Sequence, residues 1–113
     1  MTRHAWVEEF AAAVTVSDVR WKIVEMNAKA AKTFEKDGGK KLIGTNVLDC
    51  HPEPARSKLR AIMESRKPNV YTIEKAGVKK LIYQAPWYKG GKYAGVVELS
   101  FEIPFEMPHF VRD

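Results

Sequence analysis

The sequence predicts an α+β domain on three observations. A pair of short β-branched runs opens the chain after its first residues, and a helical middle follows. The last third, Val70 to Ile103, then holds three β-type runs split by Gly77 and by Gly90-Gly91. Strands at both ends with helices between them predict one sheet with a face in the core and helices packed on it. A chain of 113 residues has room for a single core. The expected organisation is an amphipathic helix over 1–11, one domain over 12–104 and a tail over 105–113.

Each element has its own warrant. Trp6, Val7, Phe10 and Ala11 recur at helical spacing, which predicts a short helix whose apolar side needs a partner. Ala12 to Val16 is small and β-branched, Ser17-Asp18 has turn chemistry, and Trp21 to Met26 forms the second strand. Asn27 is a helix N-cap for Ala28 to Lys36, with Ala30, Ala31 and Phe34 on one side and Lys29, Lys32 and Lys36 on the other. Asp37-Gly38-Gly39 ends that helix, and Leu42 to Asp49 reads as a helical turn that packs Leu42, Ile43, Val47 and Leu48 inward. Pro52 and Pro54 suit the first turn of a helix in which Ala55, Leu59, Ile62 and Met63 repeat at i, i+4, i+7 and i+8. Val70 to Glu74 and Lys80 to Ala85 form a hairpin around Ala76-Gly77-Val78, and the turn at Lys89 to Lys92 leads into the last strand. There Val97, Leu99, Phe101 and Ile103 alternate with Glu98, Ser100 and Glu102, which predicts that the four apolar residues face the core.

Composition excludes several classes. The net charge of +5 would suit nucleic acid, yet Lys22, Lys29, Lys32, Lys36, Lys40, Lys41, Lys79, Lys80, Lys89 and Lys92 are scattered over turns and solvated faces. No nucleic-acid partner is expected. No apolar run approaches the roughly 18 residues that a membrane span requires. Glu8 and Glu9 stand where a signal peptide would be apolar, so the expected location is the cytoplasm. The single Cys50 forms neither an internal disulfide nor a thiolate metal site by itself. Gly38-Gly39-Lys40 and Gly90-Gly91-Lys92 lack the spacing and the Ser/Thr of a phosphate loop and read as turns.

The order of elements, with Asp18 ahead of the second strand, Asn27 followed by Ala30-Ala31, Ile43-Gly44, and Gly95-Val96 entering the last strand, resembles the PAS family of small sensor domains. The resemblance runs from about Ala12 to Ile103. Cys50-His51-Pro52 is similar to a subset of bacterial and archaeal members. Val19-Arg20-Trp21-Lys22 departs from the family by lacking a glycine, which implies a different turn type in the same fold. The resemblance implies a five-stranded antiparallel sheet with helices on one face and an N-terminal helix. It also implies a hollow for a small molecule, pairing through the sheet or the N-terminal helix, and a signal passed to an output domain. No kinase, cyclase or helix-turn-helix pattern occurs in these residues, so the chain is expected to signal through a partner, or to be a sensor fragment or a stand-alone ligand-binding protein.

Candidate site residues follow. His51, bordering the family's hollow, is a candidate haem ligand, against a plain role in helix capping. Cys50 is a candidate thiolate or redox residue, against a small buried hydrophobe; flavin photochemistry is not expected around it. Leu59, Met63, Tyr83, Trp87 and Leu99 are candidates to line a pocket, against ordinary core packing. His4, His51 and His109 are far apart, with no nucleophile, paired carboxylates or polar cavity cluster beside them, so no enzyme is expected. The reading is a sensory module that binds a small ligand or a partner protein and pairs as a homodimer through Trp6, Val7, Phe10 and the outer sheet face. Its alternatives are an interaction domain with a self-filled core and a haem sensor through His51. The sequence names no cofactor beyond that haem possibility.

Overall fold

A computed structural model describes residues 5–113, with the side chain of Cys50 left outside the description. His4 and the first residues of the expected 1–11 helix therefore fall outside the described residues. Strands β1 (Ala13–Ser17), β2 (Ile23–Met26), β3 (Asn69–Lys75), β4 (Val78–Lys89) and β5 (Lys92–Ile103) form one antiparallel sheet in the order β2-β1-β5-β4-β3. The helices are α1 (Ala5–Glu8), α2 (Ala28–Thr33) and α3 (Ala55–Ser65), with 3-10 turns at Glu35–Asp37, Gly39–Leu42 and Val47–Cys50. Among the described residues the N-terminal helix is the turn Ala5–Glu8, and Phe10 and Ala11 lie beyond it.

Local chemistry accounts for the connections. The β3–β4 turn holds Ala76 and Gly77 at φ 54° and 77°, and the β4–β5 turn holds Gly90 and Gly91 at 58° and 80°. These are the left-handed pairs that two-residue hairpins demand. In the β1–β2 loop Trp21 takes φ 69° in place of a glycine. The Asp18 carboxylate holds that loop by accepting from the Arg20 and Lys22 amides at 2.9 and 3.0 Å. At the start of α3 the Glu53 carboxylate accepts from the Ser57 amide at 2.7 Å and the Ser57 hydroxyl at 2.6 Å, a cap that the prolines cannot supply.

Asn27 joins three segments. Its Oδ1 accepts from the Val14 and Ala30 amides at 2.9 and 3.0 Å, and its Nδ2 donates to the Val7 and Ala12 carbonyls at 2.9 and 2.8 Å. Only 2% of the residue is exposed, so an amide with every bond made ties the N-terminal segment to β1 and α2. The core gathers Ala13, Ile23, Met26, Ala30, Val47, Leu48, Leu59, Ile62, Met63 and Val96 between sheet and helices. Val47 and Leu48 point inward as expected, whereas Ile43 is exposed.

The face of β5 is opposite to the expectation. Thr15 pairs with Glu98 and Ser17 with Val96, and these four side chains look toward the helices. Val97, Leu99, Phe101 and Ile103 therefore project to the other side. A bulge between Trp87 and Tyr88 causes the inversion: next to the turn Tyr88 opposes Tyr93, but beyond it Trp87 opposes Gly95, a slip of one residue. A slip of one residue in register exchanges the faces of everything that follows. Gly95, at φ 139°, allows this because a Cβ there would run into the Ser17 carbonyl and the Asp18 backbone.

Candidate functional site

The helix-covered face encloses a hollow lined by Thr15, Ile23, Phe34, His51, Leu59 and Glu98 among others. The space left for the centre of a water molecule is about 20 Å³, enough for about one water. Leu59 is among the residues that line it. Met63 is buried in the same core beside Leu59 but does not line the hollow. Tyr83 and Leu99 oppose each other across β4 and β5 on the far face, which corrects their assignment to the pocket. Trp87 is also away from the hollow; its Nε1–H donates to the Ser17 carbonyl at 3.0 Å, beside Gly95.

One side of the hollow is polar, contrary to the expectation that no such cluster exists. The Asn69 amide donates to Gln84 Oε1 at 3.0 Å, and Gln84 Nε2 donates to Glu98 Oε2 at 2.6 Å. The same Glu98 oxygen lies 3.6 Å from His51 Nε2, while His51 Nδ1 reaches the Val47 carbonyl at 2.9 Å. A chain of four side chains thus crosses β3, β4 and β5 to the 3-10 turn Val47–Cys50. The register makes it: Asn69 opposes Gln84 and Gln84 opposes Glu98.

The electrostatics follow from the partners. Both ring nitrogens of His51 face acceptors, and only the imidazolium offers a hydrogen to each. The Glu98 side chain, at ion-pair rather than tight hydrogen-bond separation, therefore raises the His51 pKa above 6.5. Burial opposes the shift, and the Glu98 charge and the Val47 carbonyl add to it. Burial also raises Tyr71, with the Glu98 charge contributing. The ring serves the turn that ends at Cys50, and does not cap α3 as the plain reading had it.

Haem does not fit this site. Both His51 nitrogens are engaged, and the remaining space holds about one water where a macrocycle would have to enter. Among the described residues no group of three His, Cys, Asp or Glu side chains is placed to hold a metal ion. Nor is any helix there long and apolar enough to cross a membrane.

The opposite face is apolar and open. Val16, Val97, Leu99 and Phe101 are only partly covered, and Val70 and Tyr83 are exposed. At its margin a groove of about 500 Å³ is lined by Phe10, Ala11, Ala12, Lys29, Leu99, Phe101 and Glu102. Trp6 and Phe10 meet edge to face at 5.5 Å between ring centres and are both exposed, while Val7 is half-buried.

This sheet order and the one-sided helical layer recur in solved structures. A receptor domain from Vibrio cholerae, described as a dual PAS-heme oxygen sensor, superposes with a TM-score of 0.63 at 17% identity, over 82% of this chain and 95% of that one. The PAS domain of the histidine kinase ThkA gives 0.62 at 18% identity, over 80% and 97%. This chain has the PAS fold. A sensory box sensor histidine kinase from Vibrio cholerae, at 0.64 and 15% identity, covers 88% of this chain and is itself covered over 87%. No family model matches the sequence, and no curated protein matches it either.

Proposed function

We propose that this chain is a sensory, signal-transducing PAS module that works as a homodimer through the outer face of its sheet. The observation that supports it is the contrast between a nearly filled hollow and an apolar outer face. The hollow has about 20 Å³ free, while Val70, Tyr83, Trp6 and Phe10 stand exposed around Leu99 and Phe101. An open apolar patch continuous with aromatic residues at the domain's edge is the mark of an interaction surface. Neighbours of this fold are parts of sensor kinases and of a receptor, and the signalling role is carried over from them. Catalysis is not part of the proposed role. Phe10→Asp with Trp6→Ala is expected to turn a dimer into a monomer in light scattering; an unchanged dimer would remove these residues from the interface.

A second reading, ligand binding in the hollow, is favoured by the polar chain. Thr15, Glu98 and His51 face the free space, so the ligand would be a polar species of a few atoms. Native mass spectrometry of gently purified protein tests it: a bound mass absent from a Glu98→Gln variant supports this reading, and a clean apo spectrum removes it.

A further inference from the structure

The tail after β5 is as apolar as the face beside it. Phe105, Met107, Phe110 and Val111 are 54%, 58%, 68% and 86% exposed. Four large apolar side chains within seven residues, all facing water, are more than a scattered surface would carry. Pro104 and Pro108 lack the amide hydrogens that would extend β5, so the tail cannot continue the ladder. Its root adjoins the groove, because Leu99, Phe101 and Glu102 of β5 form part of the groove's lining. Its own aromatic rings nevertheless remain outside that groove.

We propose that, in the homodimer, the tail of each copy lies in the Phe10–Leu99–Phe101 groove of the other. The inference rests on the homodimer reading and names the segment that closes it. Charge permits self-pairing, since the groove carries one cation and one anion, Lys29 and Glu102, and the tail brings both signs too, in Glu106, Arg112 and Asp113. Area fits as well: the free surface of the four tail side chains is roughly 400 Å². Counted with the smaller surface of the grooves themselves, the two exchanges bury roughly 1,100 Å², just above the size at which a specific interface begins. Reciprocal exchange also closes on itself, as a two-fold dimer must.

Cross-linking on the full chain tests it. In a Cys50→Ser background, Leu99→Cys and Phe110→Cys are placed on separate chains of different mass, mixed, and oxidised. A disulfide-linked heterodimer is expected as the main product. A doubly substituted chain that closes its own disulfide instead, or a mixture that forms no heterodimer, overturns the exchange. Light scattering of the same proteins separates the two failures: a dimer without the cross-link removes the tail and leaves the homodimer, whereas a monomer removes both. Phe110→Asp in the otherwise unchanged chain provides a second measure. It is expected to weaken dimerisation at least about tenfold, and an unchanged dissociation constant also overturns the proposal.

Discussion

The two faces of the sheet differ in a way that hydrophobicity does not foretell. The face under the helices presents Thr15, Ser17, Gln84 and Glu98 alongside Ile23, Ile82 and Val96; the face turned away presents Val97, Leu99, Phe101 and Tyr83. The more uniformly apolar face is the open one. Ser17, Gln84 and Glu98 are tolerated inside because each finds a partner: Ser17 donates to the Val96 carbonyl at 3.2 Å, and Gln84 bridges Asn69 and Glu98. An apolar face left uncovered by its own chain is a surface waiting for another.

The comparison breaks most completely at Gly95, where both faces depend on one slip of register. Gly95→Ala drives a methyl group into the Ser17 carbonyl and is expected to cost more than about 3 kcal/mol, or to prevent folding. Urea unfolding measures it, and a near-neutral result would mean that β1 and β5 do not approach as described. Asn27→Ala leaves two amides and two carbonyls of the N-terminal segment, β1 and α2 without their partner. It is expected to cost about 3 kcal/mol by the same assay.

Matched truncations sharpen the contrast. Leu59→Ala, in the closed core at 2% exposure, should cost about 3 kcal/mol, while Leu99→Ala on the open face should cost under about 1 kcal/mol in the monomer. Equal losses would erase the distinction between the faces.

The smallest effect is a pH dependence. Because Glu98 raises the His51 pKa in the folded state above 6.5, folding favours the protonated ring. That stabilisation is fully present below the unfolded value and is lost as pH rises through the raised folded value. Wild type should therefore lose stability relative to a Glu98→Gln variant as pH rises from 6.5 through the raised folded value, in denaturation at each pH. Parallel profiles would dismiss the pair.

Much of the fold was legible in local chemistry. Asn27 announced its helix, Leu59, Ile62 and Met63 their buried stripe, and Gly77 and Gly90-Gly91 their hairpins, because caps, periodicity and left-handed turns are properties of neighbouring residues. The site was less legible because it depends on register. Alternation along β5 shows that two faces differ but does not say which one the helices cover. The bulge at Trp87 and Tyr88 then moves Gln84 from opposite Val97 to opposite Glu98, creating the polar chain and sending Leu99 outward. One signal was present: an isolated glycine within a strand pattern, Gly95, is a marker for such a bulge. Ile43 was misplaced for a similar reason, since a hydrophobic residue in a short turn has no periodicity to fix its side.

The central claim, that the face opposite the helices is the pairing surface, is tested most directly by light scattering of Leu99→Glu beside wild type. The account predicts a dimeric wild type and a folded, monomeric variant. A variant that stays dimeric, or a wild type that is monomeric at high concentration, would contradict it.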